Sequence, residues 1–180
     1  DQCGSRGLGD VYKRQELFWT HPAVLKAVGE LFKDAGAGRI IVTEAIYDKE
    51  SYTRWGYEDV VNHLGAEFVD LNKKAPYDHF KELAVPNPLG YNSSLFQNGV
   101  LHELDCFISL PKVKRHYGAG ITNVMKNMIG SVPLSIYQKS GAWREKLHSP
   151  SATEKSNSYA GFKNLCRTIV DLNKIRPIHF

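Results

Sequence analysis

Four basic side chains lie within five residues in the stretch PKVKRH at 111–116. They are Lys112, Lys114, Arg115 and His116. Ammonium and guanidinium groups bind phosphate and carboxylate groups, and an unperturbed imidazole exchanges a proton near neutral pH. These residue types at this spacing therefore indicate a site for a small anion, with His116 as a candidate for proton transfer.

The residues around this basic stretch predict a backbone that also favours an anion. We expect a strand to end near Leu110 and a helix to run over 120–130, with Gly118 and Gly120 in the loop between them. The first amides of a helix have no partners within the helix and lie at the positive end of its dipole. The predicted strand–loop–helix at 110–130 is therefore our candidate site for phosphate or carboxylate.

The predicted helix places further polar groups next to the loop. Lys126 follows Thr122 by four residues, so both side chains lie on one helix face, with Asn127 beside them. We predict that His116 and Lys126 are the catalytic residues, and that Lys126 stabilises developing negative charge. An ordinary solvent-exposed basic face would show the same pattern, and the GxxxxGK[ST] order of a P-loop is absent.

A second basic pair follows in the stretch WREKLH at 143–148. Arg144 and His148 are four residues apart, on one face if the segment is helical, and we expect them to close over the bound anion. The predicted ligand-binding residues are Lys112, Lys114, Gly118, Gly120, Thr122, Asn127, Arg144 and His148.

The sequence carries no clear metal-binding motif. Cys106 and Cys166 have no CxxC spacing, and we interpret them as small buried residues. His116 and His148 could share a metal with a carboxylate, but no HxH or HExxH motif supports this. We therefore predict no metal site in the chain.

The elements that must position these residues alternate between helix and strand. Apolar residues at helical spacing predict a first helix from Thr20 to about Gly36. Short apolar runs, typical of buried parallel strands, predict strands at 39–45 and 66–71. Further elements are predicted at 57–65 (helix), 105–110 (strand), 120–130 (helix) and 159–173 (helix).

This alternation is typical of an α/β layered fold with a mostly parallel sheet and crossover helices. Ligands in such folds bind beyond the carboxyl ends of the strands. Glu44 and Asp70 are predicted at two of those ends, either as structural residues or as a general base or hydrogen-bond acceptor. We expect the fold to be truncated at both ends.

The first fifteen residues are interpreted separately from the rest. One reading frame of a transposase-type sequencing adapter encodes residues 5–15 without a mismatch, and no predicted strand precedes their glycines. We therefore interpret 1–15 as a non-native segment and 16–180 as one partial α/β domain. Without this segment the net charge falls from +4 to +3, because it contains three basic and two acidic residues.

The charge and hydropathy of the chain disfavour nucleic acid and a membrane as partners. The net charge is only mildly basic, and the lysines lack the interleaved aromatic residues of a single-strand nucleic-acid surface. We therefore expect no nucleic-acid partner. No apolar run of about 18 residues occurs, so we expect no membrane span.

The stretch LPKVKRHYGAGITNVMKNMIGSVP resembles the core signature of the family known as domain of unknown function 362. Members carry a Pro-Lys-x-Lys-x-His run followed by a Thr, a Lys-Asn pair and a Gly. The matching positions here are Pro111, Lys112, Lys114, His116, Thr122, Lys126, Asn127 and Gly130. The stretches at 20–45 and 56–72 also resemble the early helix–strand units of the family, so the resemblance covers about residues 18–180.

The resemblance implies an α/β domain that is often accompanied by ferredoxin-like iron–sulfur modules, with no agreed reaction. The four-cysteine motif of such a cluster is absent from this chain. An iron–sulfur cluster would therefore belong to a missing segment or to a ferredoxin-like partner.

Three functions fit these residues, and the sequence leaves open whether the chain is an enzyme. We expect an enzyme domain that binds a phosphorylated or carboxylated small molecule at 110–130, redox-linked through an iron–sulfur partner or a missing module. The alternative is a non-catalytic module that binds an anion or a partner protein through the same loop. A third possibility is a metal- or cofactor-dependent racemase or isomerase of small acids.

Overall fold

The computed structural model describes residues 19–46, 50–139, 143–149 and 158–180. The helices are α1 (Pro22–Asp34), α2 (Ser51–Arg54), α3 (Tyr57–Leu64), α4 (Val124–Asn127), α5 (Leu134–Tyr137) and α6 (Tyr159–Ile175). The strands are β1 (Ile41–Glu44), β2 (Glu67–Asp70), β3 (Lys81–Ala84), β4 (Ser94–Gln97), β5 (Lys114–His116) and β6 (Gly120–Thr122). Short 3₁₀ helices occur at Gly99–His102, Met128–Ser131 and Glu145–Leu147. The predicted adapter-derived segment 1–15 lies outside the described residues.

The first helix, α1, forms close to where the apolar spacing predicts it. Its cap is His21 rather than the expected Thr20, because the imidazole Nδ1 of His21 accepts a hydrogen bond from the Ala23 amide at 3.1 Å. The Thr20 hydroxyl instead donates to the Leu110 carbonyl. This bond ties the entry to α1 to the segment that leads into the predicted anion site.

The predicted parallel strands form as β1 and β2, with α3 in the connection between them. Their register places Ile41 opposite Glu67 and Glu44 opposite Asp70. Both strands therefore end at the same edge, so the two carboxylates lie side by side. This unit confirms the predicted mixed α/β class and the predicted position of the two acidic residues.

The prediction of a mostly parallel sheet is wrong. The described residues contain three two-stranded sheets, and both β3–β4 and β5–β6 are antiparallel. The predicted strand at 105–110 is extended but forms no strand ladder. Its backbone bonds instead to the end of the chain, where His179 N donates to Phe107 O and Ser109 N donates to Phe180 O, each at 2.9 Å.

The main core lies between the antiparallel elements and α6, and Ile41 and Val69 of the parallel pair pack against it. Its fully buried members include Leu95 of β4, Leu101, Val132, Leu147 and Leu172 of α6. Burial of branched apolar side chains removes their surface from water and stabilises the fold. A large cavity lies beside β1.

That cavity has a volume of about 1050 Å³. Its walls come from α1, from β1 and its flanking loops, and from the segment 103–112. Lys114 of β5 and Thr122 of β6 complete the lining on the side of the hairpin. Glu44 lies on this wall at the end of β1. The predicted anion-binding segment therefore faces the carboxyl end of the parallel pair across one cavity.

Candidate functional site

The predicted strand–loop–helix at 110–130 is a β-hairpin followed by a very short helix. β5 pairs with β6 in antiparallel register, with His116 opposite Gly120. Gly120 has a φ of 74°, which an L side chain rarely adopts, so this glycine permits the turn. The helix predicted over 120–130 forms only in part, because Gly120–Thr122 is strand β6, Val124–Asn127 is α-helical and Met128–Ser131 is a 3₁₀ helix.

Three backbone amides of the loop and of the start of α4 donate within the protein, contrary to the prediction that they face an anion. The Gly118 and Ala119 amides both donate to Nδ1 of His116, at 3.2 and 3.1 Å. The Val124 amide at the start of α4 donates to the side-chain oxygen of Asn123 at 2.9 Å. The side chains of this region are therefore its stronger candidates for anion binding.

His116 is a neutral hydrogen-bond donor in this arrangement. Because two amides donate to Nδ1, that nitrogen accepts and the ring proton resides on Nε2. Burial, together with nearby positive charges of which Lys126 has the largest effect, lowers the pKa of His116 to about 4. The pKa of His116 is therefore not the near-neutral value that the sequence predicts. The role of His116 in proton transfer stays a prediction.

Gly118 has a packing role that the sequence interpretation missed. A Cβ atom added at this position would lie 2.6 Å from Cδ1 of Phe162 in α6. We expect Gly118→Ala to lower the free energy of unfolding by about 1–2 kcal/mol through overpacking, without weakening anion binding. Urea unfolding and phosphate titration measure the two effects, with Gly38→Ala as the control because no atom lies within 4 Å of its added Cβ. A loss of phosphate affinity at unchanged stability would show that Gly118 contributes to anion binding rather than to packing.

Four of the predicted ligand-binding residues line the cavity: Lys112, Lys114, Thr122 and Asn127. Lys114 and Thr122 are directly paired across the hairpin, so their side chains project from the same face. Thr122 is only 7% exposed, and its hydroxyl has no hydrogen-bond partner among the described residues. A buried hydroxyl without a partner is costly, and a ligand in the cavity would satisfy it.

The other basic residues predicted for the site, His116, Lys126, Arg144 and His148, form a basic cluster next to this wall. The positive charges of Lys126, His148 and Lys114 all act on His116. Lys126 in turn is influenced by Lys114 and Arg144. In the part of the chain that the structure describes, the cluster residues His116, Lys126, Arg144 and His148 do not themselves line the cavity. Lys114 belongs to both groups, and it joins the basic cluster to the cavity wall.

Lys126 is the cation of this cluster with the most perturbed environment. Burial lowers its pKa to about 8, and the charges of Lys114 and Arg144 act in the same direction. Its ammonium group makes no hydrogen bond or ion pair with any described residue. A partly desolvated ammonium group among other cations is stabilised by a bound anion.

Arg144 is held at the carboxyl ends of the parallel strands. Its Nε donates to the Val132 carbonyl at 2.6 Å, and its Nη2 donates to Oδ1 of Asn72 at 3.0 Å. Burial lowers its pKa to about 10, while Glu44 and Asp70 oppose that shift. Arg144 therefore interacts electrostatically with Lys126 of the basic cluster and with the two acidic residues, and its contact with an anion stays a prediction.

His148 belongs to the basic cluster and directly follows a 3₁₀ turn. The segment at 143–148, in which Arg144 and His148 would share one face if it were helical, forms a single 3₁₀ turn, Glu145–Leu147, and the two residues flank that turn. The His148 ring is buried and packs edge-on against Trp143, with ring centroids 5.0 Å apart. We therefore expect His148 to contribute to packing as well as to the charge around His116.

Glu44 is solvent-exposed on the cavity wall, although protein atoms surround its carboxyl group. Desolvation raises its pKa, and the neighbouring Asp70 adds to this, while the Ala45 amide and Arg144 act in the opposite direction. The Ala45 amide donates to Glu44 Oε1 at 3.0 Å. A carboxyl group with a raised pKa on a cavity wall is suited to proton transfer.

Asn72 is a residue that sequence reasoning missed. Its Oδ1 accepts from Arg144 and from the Leu134 amide, and its Nδ2 donates to the Ile46 carbonyl at 2.9 Å. It therefore connects the loop after β1 with the loop after β2 and the segment at 134. The available signal was the position of Asn72 directly after the strand predicted at 66–71.

The described residues do not fit the ligand set of an iron–sulfur cluster. Cys106 and Cys166 are both exposed and unpaired by disulfide, so the prediction that they are buried is wrong. No group of three or more His, Cys, Asp or Glu side chains within the described ranges is arranged to hold a metal ion. No helix among those residues has the length and apolar character needed to cross a membrane.

Comparison with known proteins identifies a family for this chain. The family model described as Domain of unknown function (DUF362) matches residues 10–180. The match begins inside the segment interpreted as adapter-derived, so the boundary at residue 16 stays a prediction. No curated protein and no solved structure shows a significant match. Because the match covers nearly the whole sequence, the chain belongs to the DUF362 family.

Proposed function

We propose that this domain is an enzyme domain that binds a phosphorylated or carboxylated small molecule at the basic wall of the cavity. The observation that carries the proposal is the buried, unpartnered hydroxyl of Thr122 beside Lys114. A hydroxyl and an ammonium group on one face supply a donor and a charge to the same acid group.

The surrounding charges support an anion over a neutral ligand. Lys112 and Lys114 line the cavity, and the positive charges of Lys114 and Arg144 both act on Lys126. Cations that are brought together and partly desolvated repel one another, and a bound anion offsets that repulsion. Lys126 acts in this proposal through its charge.

The perturbed groups around the cavity support an enzyme over a simple binding module. Titratable groups with strongly shifted pKa values cluster at catalytic sites. Glu44 lines the cavity and has a raised pKa, so it is the proposed proton-transfer residue, while His116 donates a hydrogen bond from Nε2. The redox link through an iron–sulfur partner rests on the family resemblance alone.

A conservative substitution at Thr122 tests the anion site. Valine keeps the shape of threonine but removes the hydroxyl, so we expect Thr122→Val to weaken phosphate and acetate binding about threefold to tenfold. The free energy of unfolding should stay the same or rise, because an unsatisfied buried group is removed. Isothermal titration calorimetry and urea unfolding measure the two quantities.

The matched control is Thr43→Val, since Thr43 lies on the β1 wall of the same cavity. We expect that variant to bind phosphate within twofold of the natural sequence. Equal affinities of Thr122→Val and the unsubstituted protein for both probes would overturn the proposed site. Binding only to large polyanions, with steep salt dependence, would favour the non-catalytic partner-binding module.

A further inference from the structure

The cavity is much larger than a single phosphate or carboxylate group requires. Its volume of about 1050 Å³ matches the upper end of cavities that enclose drug-sized molecules. Beyond the basic wall, the lining is mainly apolar and aromatic, with Leu25 and Phe32 from α1 and Trp19, Trp55 and Tyr57 at one end. The anion site therefore opens into a space that suits an apolar body.

The aromatic end of the cavity is a pre-arranged surface. The rings of Trp19 and Trp55 are stacked, with centroids 3.6 Å apart and planes 8° from parallel. The Tyr57 ring meets Trp55 edge-on at 6.4 Å, and the Tyr57 hydroxyl donates to the Thr20 carbonyl. The three rings hold one another in place, so a flat ligand would lose little of its binding free energy to ordering them.

Hydrogen bonds join this aromatic end to the basic wall. Thr20 follows Trp19 directly, and its hydroxyl donates to the carbonyl of Leu110. Lys112 lies two residues after Leu110 and lines the same cavity. Thr20 is thus bonded both to the aromatic group, through Tyr57, and to the start of the basic segment. This arrangement places a stacking surface and an anion site at adjoining parts of one cavity.

We propose that the cavity binds an organic anion with an aromatic or other planar apolar body, whose acid group contacts Lys112, Lys114 and Thr122 while its ring packs against Trp55. This inference rests on the proposed function and specifies the substrate class of that site. Aromatic surfaces gain free energy from burial and from offset or edge-to-face ring contacts. An inorganic anion would use the charges alone and leave the aromatic surface unoccupied.

Three probes separate this inference from the anion site itself: inorganic phosphate, phenyl phosphate and phenol. We expect calorimetry to show that phenyl phosphate binds at least tenfold more tightly than phosphate, and that phenol binds too weakly to measure. Trp55→Leu should remove most of the advantage of phenyl phosphate and leave phosphate affinity within twofold.

Two further variants keep the test decisive if Trp55→Leu fails to fold. Trp55→Phe retains a ring, and we expect it to keep at least a threefold preference for phenyl phosphate over phosphate. Trp143→Leu removes a half-exposed tryptophan outside the cavity and should change neither affinity. Equal binding of phosphate and phenyl phosphate would overturn this inference while the anion site stands. Failure of both ligands to bind would overturn the proposed function together with it.

Discussion

Replacing Lys126 by methionine is expected to stabilise the folded protein and to weaken its affinity for anions. Burial lowers the pKa of Lys126 to about 8, so the folded state holds this charge at a cost. The full shift corresponds to about 3 kcal/mol, and solvent screening reduces the expected gain in the free energy of unfolding to about 1–2 kcal/mol at pH 7. Loss of the positive charge near Lys114 should weaken phosphate binding about tenfold.

The pH dependence of stability provides a separate test of the same residue. The folded-state pKa of Lys126 is below that of the unfolded chain, so the unfolded state binds more protons between about pH 8 and pH 10. The destabilisation is therefore complete below pH 8 and disappears as the pH rises above that range. We expect the stability difference between Lys126→Met and the unsubstituted protein to shrink over this range in urea unfolding experiments.

The matched control is Lys163→Met, because Lys163 is exposed on α6. We expect its stability to change by less than about 0.5 kcal/mol and its phosphate affinity to stay within twofold. A destabilised Lys126→Met protein with unchanged phosphate affinity would mean that Lys126 is an ordinary structural residue.

The second large effect is expected for Asp171→Ala, far from the cavity wall. Asp171 is 2% exposed, and its carboxylate accepts hydrogen bonds from the amides of Leu89 and Gly90 and from the ammonium group of Lys174, at 2.7–3.0 Å. Removing the carboxylate leaves buried donors without an acceptor. We expect the free energy of unfolding to fall by about 3 kcal/mol.

The protonation of Asp171 gives this prediction a pH signature. Burial raises its pKa, but the hydrogen bonds from Lys174, Gly90 and Leu89 outweigh this, so the pKa is below its usual value. Its contribution is therefore present above about pH 4, the pKa of an unfolded aspartate, and is lost as the pH falls through the lower folded-state pKa.

Urea unfolding at pH 7 and at lower pH, with Asp171→Asn as the comparison, measures this effect. The amide keeps one acceptor oxygen, so Asp171→Asn should lose less stability than Asp171→Ala. A loss below about 1 kcal/mol for Asp171→Ala would show that the carboxylate does not hold the loop at 89–90. Phosphate affinity should be the same in all three proteins.

The parallel part of the fold could be predicted because its signals are local. Short apolar runs and a glycine-terminated helix specify β1, α3 and β2, and parallel strands must end at one edge, which places Glu44 beside Asp70. The hairpin β5–β6 could not be recognised in the same way. Its strands have three residues each, too few for an alternating pattern, and the glycines were equally compatible with a turn into a helix.

The composition of the site could be predicted better than its geometry. Lys114 and Thr122 are separated in sequence and lie opposite each other only because β5 and β6 pair. No local sequence pattern specifies that pairing. The tautomer of His116 depends on the Gly118 and Ala119 amides, which both donate to its Nδ1. Asn72 and the stacked Trp19–Trp55 pair depend on contacts between segments distant in sequence.

The central claim is that Lys114 and Thr122 together hold an anion at the cavity wall. Anomalous diffraction from crystals soaked in selenate, a tetrahedral anion like phosphate, tests this directly. The account predicts an anomalous peak within hydrogen-bond distance of Lys114 Nζ and Thr122 Oγ1. Selenate bound only at other surfaces, with these two side chains directed away from each other, would contradict it.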